Sequence, residues 1–193
     1  MTPHDVIHRL IPYRLNAVDT FTTALHLRNK WDVAPPMQMF VDGKLAVEGN
    51  LNAFTNPVIE TGVIHCRALL EFLGLCRSRS GKLENVRGAR RADDSGIEHF
   101  ANASGPLSLV SPMQACARYP GGVVEAENAL LAVFVTANKG VAHLTILDTS
   151  SAEQSRLLEI ASRGVPALVI SHFYTPLGLE SPKYENGARR RDV

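Results

Sequence analysis

The sequence predicts an all-α protein, a bundle of four main helices with short accessory helices and one long central connection. Apolar residues recur at spacings of three and four along most of the chain, and alternating β-branched runs joined by hairpin turns are not evident. The chain has 193 residues, of which 45% are hydrophobic, which is enough to fill one sizeable core. We therefore predict a single helical domain over residues 1–178 and a flexible C-terminal tail over residues 179–193.

Two helices are predicted near the N-terminus. Thr2-Pro3 has the form of an N-cap followed by proline at the first helical position, and Pro12 is expected to end or kink the short helix that follows. A long amphipathic helix is predicted from Tyr13 to about Trp31. Its apolar positions are Leu15, Val18, Phe21 and Leu25.

Prolines also mark the beginning of the next two predicted helices. Pro35-Pro36 interrupts the chain and is expected to open a helix that runs through Leu45 to Leu51. Asn56-Pro57 repeats the signal of a cap followed by proline, and it predicts a helix to about Leu75. The apolar stripe of this second helix is nearly continuous, which makes it the strongest helix of the N-terminal half.

The character of the chain changes after residue 75. Residues 76–110 are rich in glycine, serine and charge and have no sustained period; so long a connection is commonly functional or disordered. Ser111-Pro112 predicts a short helix, and Val123 to about Leu144 a long one. The last helix is predicted to begin at Ser150 or Ser151 and to kink at Pro166.

Composition excludes several classes of protein. The formal net charge is +1, so no global field attracts the chain to nucleic acid or to a membrane. Three cysteines without a CxxC pair argue against a disulfide framework and against a zinc knuckle. The longest apolar run is too short to span a membrane, and the N-terminal residues lack the apolar core of a signal peptide. We expect a cytoplasmic protein with no membrane partner.

A first candidate site lies on the helix that contains Arg67. Glu60, Arg67 and Glu71 share one face of this helix, and His65 is expected close to that face. One interpretation is an ion pair between Arg67 and Glu71 on a solvated face, worth about 0.3–0.5 kcal/mol. The other is a partly enclosed arginine that faces either a buried partner or a bound anion.

A second candidate site lies near the end of the long late helix. Lys139 and His143 are four residues apart and so share a face, and Asn138 lies beside them. These residues are consistent with a helix C-terminus at which basic side chains complement the dipole. A lysine, an amide and an imidazole within one turn could also hold a phosphate and move a proton near neutral pH.

The central connection carries the third candidate. Its basic residues are Arg77, Arg79, Lys82, Arg87, Arg90 and Arg91. A solvated charged loop and an anion-binding surface with salt-dependent affinity are both consistent with this pattern. Asp93, Asp94, Glu98 and His99, combined with His65 and His143, raise the alternative of a metal site. No metal-binding motif is present, and we predict no bound metal or cofactor.

Two segments resemble a known family. Asn-Lys-x-x-x-His-Leu-Thr, which ends at Thr145, and His-x-Arg-x-Leu-Leu-Glu-Phe-Leu, which begins at His65, resemble HEPN-like domains of bacterial proteins. HEPN domains form an all-α superfamily that binds nucleotides and RNA. The ribonuclease motif of its catalytic members is an arginine, a polar residue, three to five further residues and a histidine. Here His143 matches the histidine, and Ala137 stands where the arginine is expected.

The resemblance implies a role for each candidate residue. It implies His143 as the general acid/base and Arg67 as the phosphate clamp, with the two on the same side of the bundle. The groups that orient or bind the phosphate would be Asn138, Lys139, Arg90 and Arg91, and the supporting groups His65, Glu71, Asp93 and Asp94. It also implies a homodimer, because domains of this superfamily commonly pair.

Three functions are compatible with these observations. The first is a HEPN-like nucleotide- or RNA-binding domain, with metal-independent ribonuclease activity as one form of it. The second is a non-catalytic module for dimerisation or interaction, in which the same polar residues form a structural network. The third is a metal-dependent helical-bundle enzyme.

Overall fold

The structure is a computed structural model that describes residues 2–91, 93–117, 119–141 and 151–182, without the side chains of residues 139–141. Its helices are α1 (Pro3–Asp5), α2 (Ile11–Asn29), α3 (Leu51–Phe72), α4 (Pro112–Cys116), α5 (Val123–Val135) and α6 (Ala152–Val169). Its strands are β1 (Pro36–Val41), β2 (Lys44–Asn50), β3 (Leu75–Arg77), β4 (Leu83–Asn85), β5 (Ala101–Asn102) and β6 (Gly105–Pro106). Wider π turns cover Val6–Leu10, Thr136–Val141 and Ile170–Tyr174.

The fold is mixed α/β, so the predicted all-α class is wrong. Long helices form the body, and in the described residues the strands pair as three two-stranded antiparallel sheets, β1 with β2, β3 with β4 and β5 with β6. The strands are short or project from the body, and for this reason the apolar periodicity of the sequence is dominated by helices.

The core lies between α2, α3, α5 and α6. α2 and α3 pack along their length, and α6 packs against both α2 and α5. The fully buried side chains here include Val18, Phe21, Leu25, Val63, Leu70, Leu158 and Phe173. Phe72, Phe100 and Phe173 meet edge to face with centroids 4.9–6.0 Å apart, which ties α3, the central connection and the C-terminal helix together.

The helix predicted after Pro35-Pro36 is instead a β-hairpin, residues 36–50. Asp42 and Gly43 both have positive φ, 51° and 72°, as a two-residue type I′ turn requires. Asp-Gly is a strong hairpin signal, and it overrides the helical spacing of Phe40, Val47 and Leu51, which lie seven and four residues apart. All of β2 and nearly all of β1 are exposed, so this hairpin, which we call the hairpin arm, projects from the body.

α3 begins earlier than the proline signal indicated. Asn50 is its N-cap, and the Asn50 Oδ1 atom accepts a hydrogen bond of 3.1 Å from the backbone N–H of Ala53. The predicted start at Asn56-Pro57 is wrong, because Pro57 lies inside the helix, where it removes one backbone hydrogen bond without ending it.

The central connection is built into the core. Leu83, Ile97 and Phe100 are buried, and β3 and β4 form a short hairpin directly after α3. Asn85 Nδ2 donates hydrogen bonds of 3.0 and 2.8 Å to the carbonyl oxygens of Gly74 and Val110. These contacts hold the two ends of the connection beside each other.

Several predicted helix starts are confirmed by their caps. Thr2, Ser111 and Ser151 each accept a hydrogen bond from the first turn of α1, α4 and α6. Pro166 lies inside α6, which continues into the last π turn. α5 ends at Val135 and passes into a π turn; the end predicted at Leu144 lies outside the described residues.

The chain after the last π turn is described as far as residue 182. Leu179 packs against the core, and its backbone N–H donates to the carbonyl of Tyr174 at 3.0 Å. Residues 183–193 of the predicted tail lie outside the described residues. Among the helices of the described part, none is both long and apolar enough to cross a membrane.

Candidate functional site

The structure brings Arg67 and Asn138 together from two elements. Arg67 lies on α3 and Asn138 on the π turn that follows α5. Arg67 Nη1 donates to Asn138 Oδ1 at 2.6 Å, and Arg67 Nε donates to Glu71 Oε1 at 2.8 Å. The side chains of Arg67 and Glu71 are 36% and 40% exposed, so this cluster lies at the surface. The ion pair with Glu71 agrees with the first interpretation of Arg67. The partner on the other element, Asn138, is itself exposed, so the buried partner of the second interpretation is not found.

Arg90 is linked to this cluster through the end of α3. Its Nη2 atom donates to the carbonyl oxygens of Glu71 and Phe72 at 2.9 and 3.3 Å, and its Nε donates to Glu98 Oε1 at 2.7 Å. A cation at the C-terminus of a helix complements the dipole and satisfies carbonyls that lack helical partners. The Arg90 side chain is only 12% exposed. It therefore holds the helix end in place, a structural role distinct from the phosphate binding expected of it.

The pKa of Glu98 reflects this pairing. Partial burial raises the pKa of the carboxyl, but the hydrogen bond from Arg90, helped by the charges of Arg90 and His99, outweighs that effect and the pKa lies below its ordinary value. The carboxylate is thus ionised at neutral pH, and its charge faces Arg90.

Arg91, Asp93 and Asp94 do not join the cluster. All three are exposed on the turn between Arg90 and the 3-10 turn Ile97–His99, where the backbone N–H of Asp94 donates to the carbonyl of Arg91 at 3.0 Å. In the described residues none of them forms a hydrogen bond or ion pair with Arg67 or Asn138. The support that the sequence analysis expected from this loop comes from Arg90 alone.

His65 lies on a different side of α3 from Arg67. Arg14 Nη1 of α2 donates to His65 Nδ1 at 3.2 Å, and the Tyr13 ring meets the imidazole edge to face at 5.4 Å. Residues two apart on an α-helix differ by about 200°, so His65 faces α2 while Arg67 faces Asn138. The expected place of His65 beside Arg67 is therefore corrected. Burial and the Arg14 charge lower the pKa of His65.

The structure does not test the expected proximity of Arg67 and His143. His143 lies outside the described residues, and Lys139 lies on the π turn without a described side chain. The expectation that Arg67 and His143 share one side of the protein stays a prediction. In the part of the chain that is described, no three His, Cys, Asp or Glu side chains come close enough to hold a metal ion.

A groove that shares no residue with the Arg67 cluster was missed by the sequence analysis. It has a volume of about 780 Å³ and runs along the π turn Val6–Leu10 and the first half of α2, opposite the C-terminal segment. We call it the N-terminal groove and define it by Arg9, Tyr13, Asn16, Thr20, Tyr174 and Glu180. The first four recur every three or four residues, a signal visible in the sequence, but the opposite wall comes from the far end of the chain.

Comparison of the chain with protein-family models, with curated proteins and with solved structures finds no match in any of the three. The protein is therefore classified from its own structure. It has a mixed α/β fold with a partly exposed cluster at the surface, in which the Arg67 guanidinium contacts the Asn138 amide. A cation and an amide held at fixed positions can bind an anion, and phosphate and carboxylate are the anions that a guanidinium fits best.

Proposed function

We propose that this chain is a HEPN-like nucleotide- or RNA-binding module in which Arg67, Asn138 and Lys139 contact a phosphate. The hydrogen bond of 2.6 Å between Arg67 and Asn138 carries the proposal, because it joins two polar residues that the sequence singled out independently. A guanidinium has five N–H donors, and two of those of Arg67 are used on described partners. The remaining donors can form a bidentate contact with a phosphate.

Glu71 limits the strength of this binding. Its carboxylate already pairs with Arg67, so a phosphate competes with it for the same guanidinium. Both side chains of the pair are more than a third exposed, and such ion pairs contribute little free energy. A phosphate can therefore displace the Glu71 carboxylate from Arg67. We expect weak binding that falls with rising salt, as for other phosphate contacts.

The test is the binding of fluorescently labelled single-stranded RNA and of nucleotides, followed by anisotropy at low and high salt. R67Q and N138A are expected to lose about tenfold in affinity at low salt. R163Q is the matched control, because Arg163 also pairs with a glutamate four residues away on a helix, at 3.4 Å. Equal affinity of R67Q and the wild type would contradict the proposal.

We further propose that bound RNA is cleaved without a metal ion, with His143 as the general acid/base. An imidazole titrates near neutral pH and can both accept and donate the proton that cleavage of a phosphodiester requires. Cleavage of total tRNA that survives EDTA and disappears in H143A supports this step. Absence of cleavage by the wild-type protein contradicts it, while the binding proposal is judged by the RNA titration alone.

The hairpin arm favours a second candidate function, a dimerisation module. Phe40 and Val41 are 58% and 60% exposed, and Leu45 and Val47 are each 48% exposed. Residues opposite each other in an antiparallel pair share a face, so Met39 with Val47 and Phe40 with Leu45 lie on opposite faces, with the bulge between the two pairs. An isolated hairpin is marginally stable, and one with apolar groups on both faces is stabilised by a partner that covers them.

For this candidate we propose a second copy of the chain as the partner. Light scattering coupled to gel filtration is expected to show a dimer for the wild type and a monomer for the double variant F40S/L45S. M113S/V124S is the control, because Met113 and Val124 are even more exposed than Phe40 and Leu45 but lie on α4 and α5. A monomeric wild type, or a dimeric F40S/L45S, would contradict dimerisation through the arm.

We also propose that the protein works in the cytoplasm. Cys66, Cys76 and Cys116 are free thiols, and free thiols persist in reducing compartments. Fractionation of cells that express the full chain tests this, and recovery in a secreted or membrane fraction would contradict it.

A further inference from the structure

The two edges of the hairpin arm differ in charge and in regularity. β1 carries no charged side chain, and all of its residues except Met37 are exposed. β2 carries Lys44 and Glu48. It also contains the bulge, because one step along β1, from Met39 to Phe40, corresponds to two steps along β2. Charged side chains and bulges protect a strand edge from pairing, so β2 is the protected edge of the arm and β1 is the open edge.

The two ends of β1 determine which of its backbone groups face away from β2. Just before β1, the carbonyl oxygen of Pro35 accepts a hydrogen bond of 2.9 Å from the first N–H of α3, which places it on the side of β2. At the other end Val41 and Lys44 close the two-residue turn as a pair, so the backbone of Val41 also faces β2. Backbone direction alternates along a strand, and the bulge leaves β1 without an extra residue. The N–H and C=O groups of Gln38 and Phe40 therefore point away from β2.

These outward groups form an unpaired hydrogen-bonding edge. In the part of the chain that the structure describes, β1 pairs with β2 only. Gln38 and Phe40 each present one donor and one acceptor, and they lie two residues apart, which is the spacing at which antiparallel strands exchange pairs of hydrogen bonds. An exposed and uncharged edge of this kind is a template for another strand.

Two copies of β1 complement each other in one antiparallel register. With a two-fold axis at Met39, Gln38 of each copy lies opposite Phe40 of the other, and every outward N–H and C=O of these two residues finds a partner. An axis at Gln38 would instead set Phe40 opposite Pro36, which has no N–H. An axis at Phe40 would set Gln38 opposite Asp42, which belongs to the turn. The axis at Met39 is therefore the one that satisfies the edge.

The same register brings apolar side chains together. Met39 lies opposite its own copy, and Met37 lies opposite Val41 of the other copy. These are pairs without mutual hydrogen bonds, in which the side chains approach most closely. Val47 of β2 shares this face, because it lies opposite Met39 within the arm. Pairing thus extends one apolar face across both copies without bringing like charges together.

The exposed apolar area indicates how strong such a dimer is. The large apolar side chains of the arm that are exposed are Met39, Phe40, Val41, Leu45 and Val47, at 37–60%. At roughly 150–200 Å² for a whole large side chain, they present roughly 400 Å² in each copy. Two copies together can therefore bury roughly 800 Å² of it, which is the size of a weak and transient interface. We expect a dissociation constant in the micromolar range.

We propose that β1 pairs with β1 of a second copy about a two-fold axis at Met39, so that two hairpin arms form one four-stranded antiparallel sheet in the order β2-β1-β1-β2. The inference rests on the dimerisation proposed above for the hairpin arm, and it adds the edge, the direction and the register. A sheet of four strands with an apolar face also has the stability that an isolated hairpin lacks.

Cysteine cross-linking tests the register. Cys76 is replaced by serine in every variant, because the other two native cysteines are buried. The two-fold axis brings the Cα atoms of the two copies of residue 39 to about 4.5 Å, within the range that a disulfide bridges. M39C/C76S is therefore expected to form a covalent dimer under mild oxidation.

A46C/C76S is the matched control for cross-linking. Ala46 is also exposed, but it lies on β2. In the proposed sheet its two copies are three strand spacings apart, about 14 Å, which is too far for a disulfide. This variant is expected to stay monomeric on a non-reducing gel.

A proline tests the backbone hydrogen bonds. Q38P removes an outward N–H and leaves the bonds between β1 and β2 in place, and proline is tolerated on an edge strand when its nitrogen faces solvent. In sedimentation over a concentration series, Q38P is expected to weaken dimerisation at least about tenfold. Q38A is the matched control, because it removes the same side chain and keeps the N–H, and it is expected to dimerise as the wild type does.

The outcomes separate the pairing from dimerisation itself. A wild type that stays monomeric over the whole series overturns both, and leaves β1 open to a strand of a different protein. A wild-type dimer in which A46C/C76S cross-links and M39C/C76S does not overturns the pairing through β1 alone. A wild-type dimer that Q38P leaves as tight as Q38A does so as well, and dimerisation through another contact of the arm then stands.

Discussion

Gly62 of α3 lies directly against Phe21 of α2, and the first carbons of the phenylalanine side chain occupy the space that a β-carbon at position 62 would need. The closest approach of the two longest helices therefore depends on a residue without a side chain. Phe21 is fully buried and cannot move outward, so α2 and α3 would have to separate to admit even a methyl group.

We predict that G62A lowers the free energy of unfolding by about 3 kcal/mol, at the upper end of the usual cost of overpacking. Urea denaturation followed by circular dichroism measures this. G164A is the control, because a β-carbon there meets nothing within 4 Å and Gly164 lies inside α6. That substitution is expected to stabilise the protein by about 0.5–1 kcal/mol. A G62A protein as stable as the wild type would contradict the packing.

The contact between Arg67 and Asn138 predicts energetic coupling between α3 and the π turn after α5. The pair is partly exposed, so we expect R67Q and N138A to be coupled by only about 0.5–1 kcal/mol in a double-mutant cycle. The free energies of unfolding of the wild type, both single variants and the double variant provide the measurement. Additive effects would show that the hydrogen bond contributes nothing to stability.

Replacing Arg90 is expected to lower the free energy of unfolding more than breaking the contact between Arg67 and Asn138, because several groups then lose their partner. R90Q leaves the part-buried carboxylate of Glu98 unpaired and the last carbonyls of α3 without their cation. We expect a loss of about 2–3 kcal/mol in the free energy of unfolding. R91Q, one residue further along, is exposed and is expected to stay within about 0.5 kcal/mol of the wild type. Equal effects of the two variants would contradict the anchoring role of Arg90.

The sequence predicted the elements whose signals are local. Thr2, Ser111 and Ser151 cap the helices they were expected to cap, because a cap acts within one turn of its own residue. The hairpin arm was missed because Phe40, Val47 and Leu51 fit a helical spacing, while the decisive information lay in the single dipeptide Asp42-Gly43. The apolar spacing predicted a helix in this segment and the Asp-Gly dipeptide predicted a turn, and the structure forms the turn.

The candidate site was predictable only in part, for a different reason. Helical spacing identified Arg67 and Glu71 as neighbours, but the contact of Arg67 with Asn138 spans 71 residues and depends on how α3 meets α5. The groove is also non-local, since the hydroxyl of Tyr174 reaches the carbonyl of Ile7 across 167 residues. Pairings of this kind are set by tertiary packing and leave no spacing in a single sequence.

His65 predicts how stability depends on pH in the mildly acidic range. Burial, followed by the charge of Arg14, lowers the pKa of its imidazole in the folded protein, whereas the unfolded chain has the ordinary value near 6.5. Below that ordinary value the unfolded chain takes up a proton that the folded protein resists. Folding stability is therefore fully present above about pH 6.5 and falls as the pH decreases toward the folded pKa.

H65Q removes this proton and is expected to flatten the decline in the free energy of unfolding below about pH 6.5. Each pKa unit of difference between the two states corresponds to about 1.4 kcal/mol, so urea titrations at a series of pH values can resolve the effect. H4Q is the matched control, because it makes the same substitution at a histidine that is exposed at the N-terminus rather than buried. If the free energies of unfolding of H65Q and of the wild type decline in parallel as the pH falls, His65 is not the group that resists protonation in the folded protein. A steeper decline in H65Q would mean that the wild-type imidazole gains a proton on folding, which is the opposite of what its contact with the Arg14 guanidinium requires.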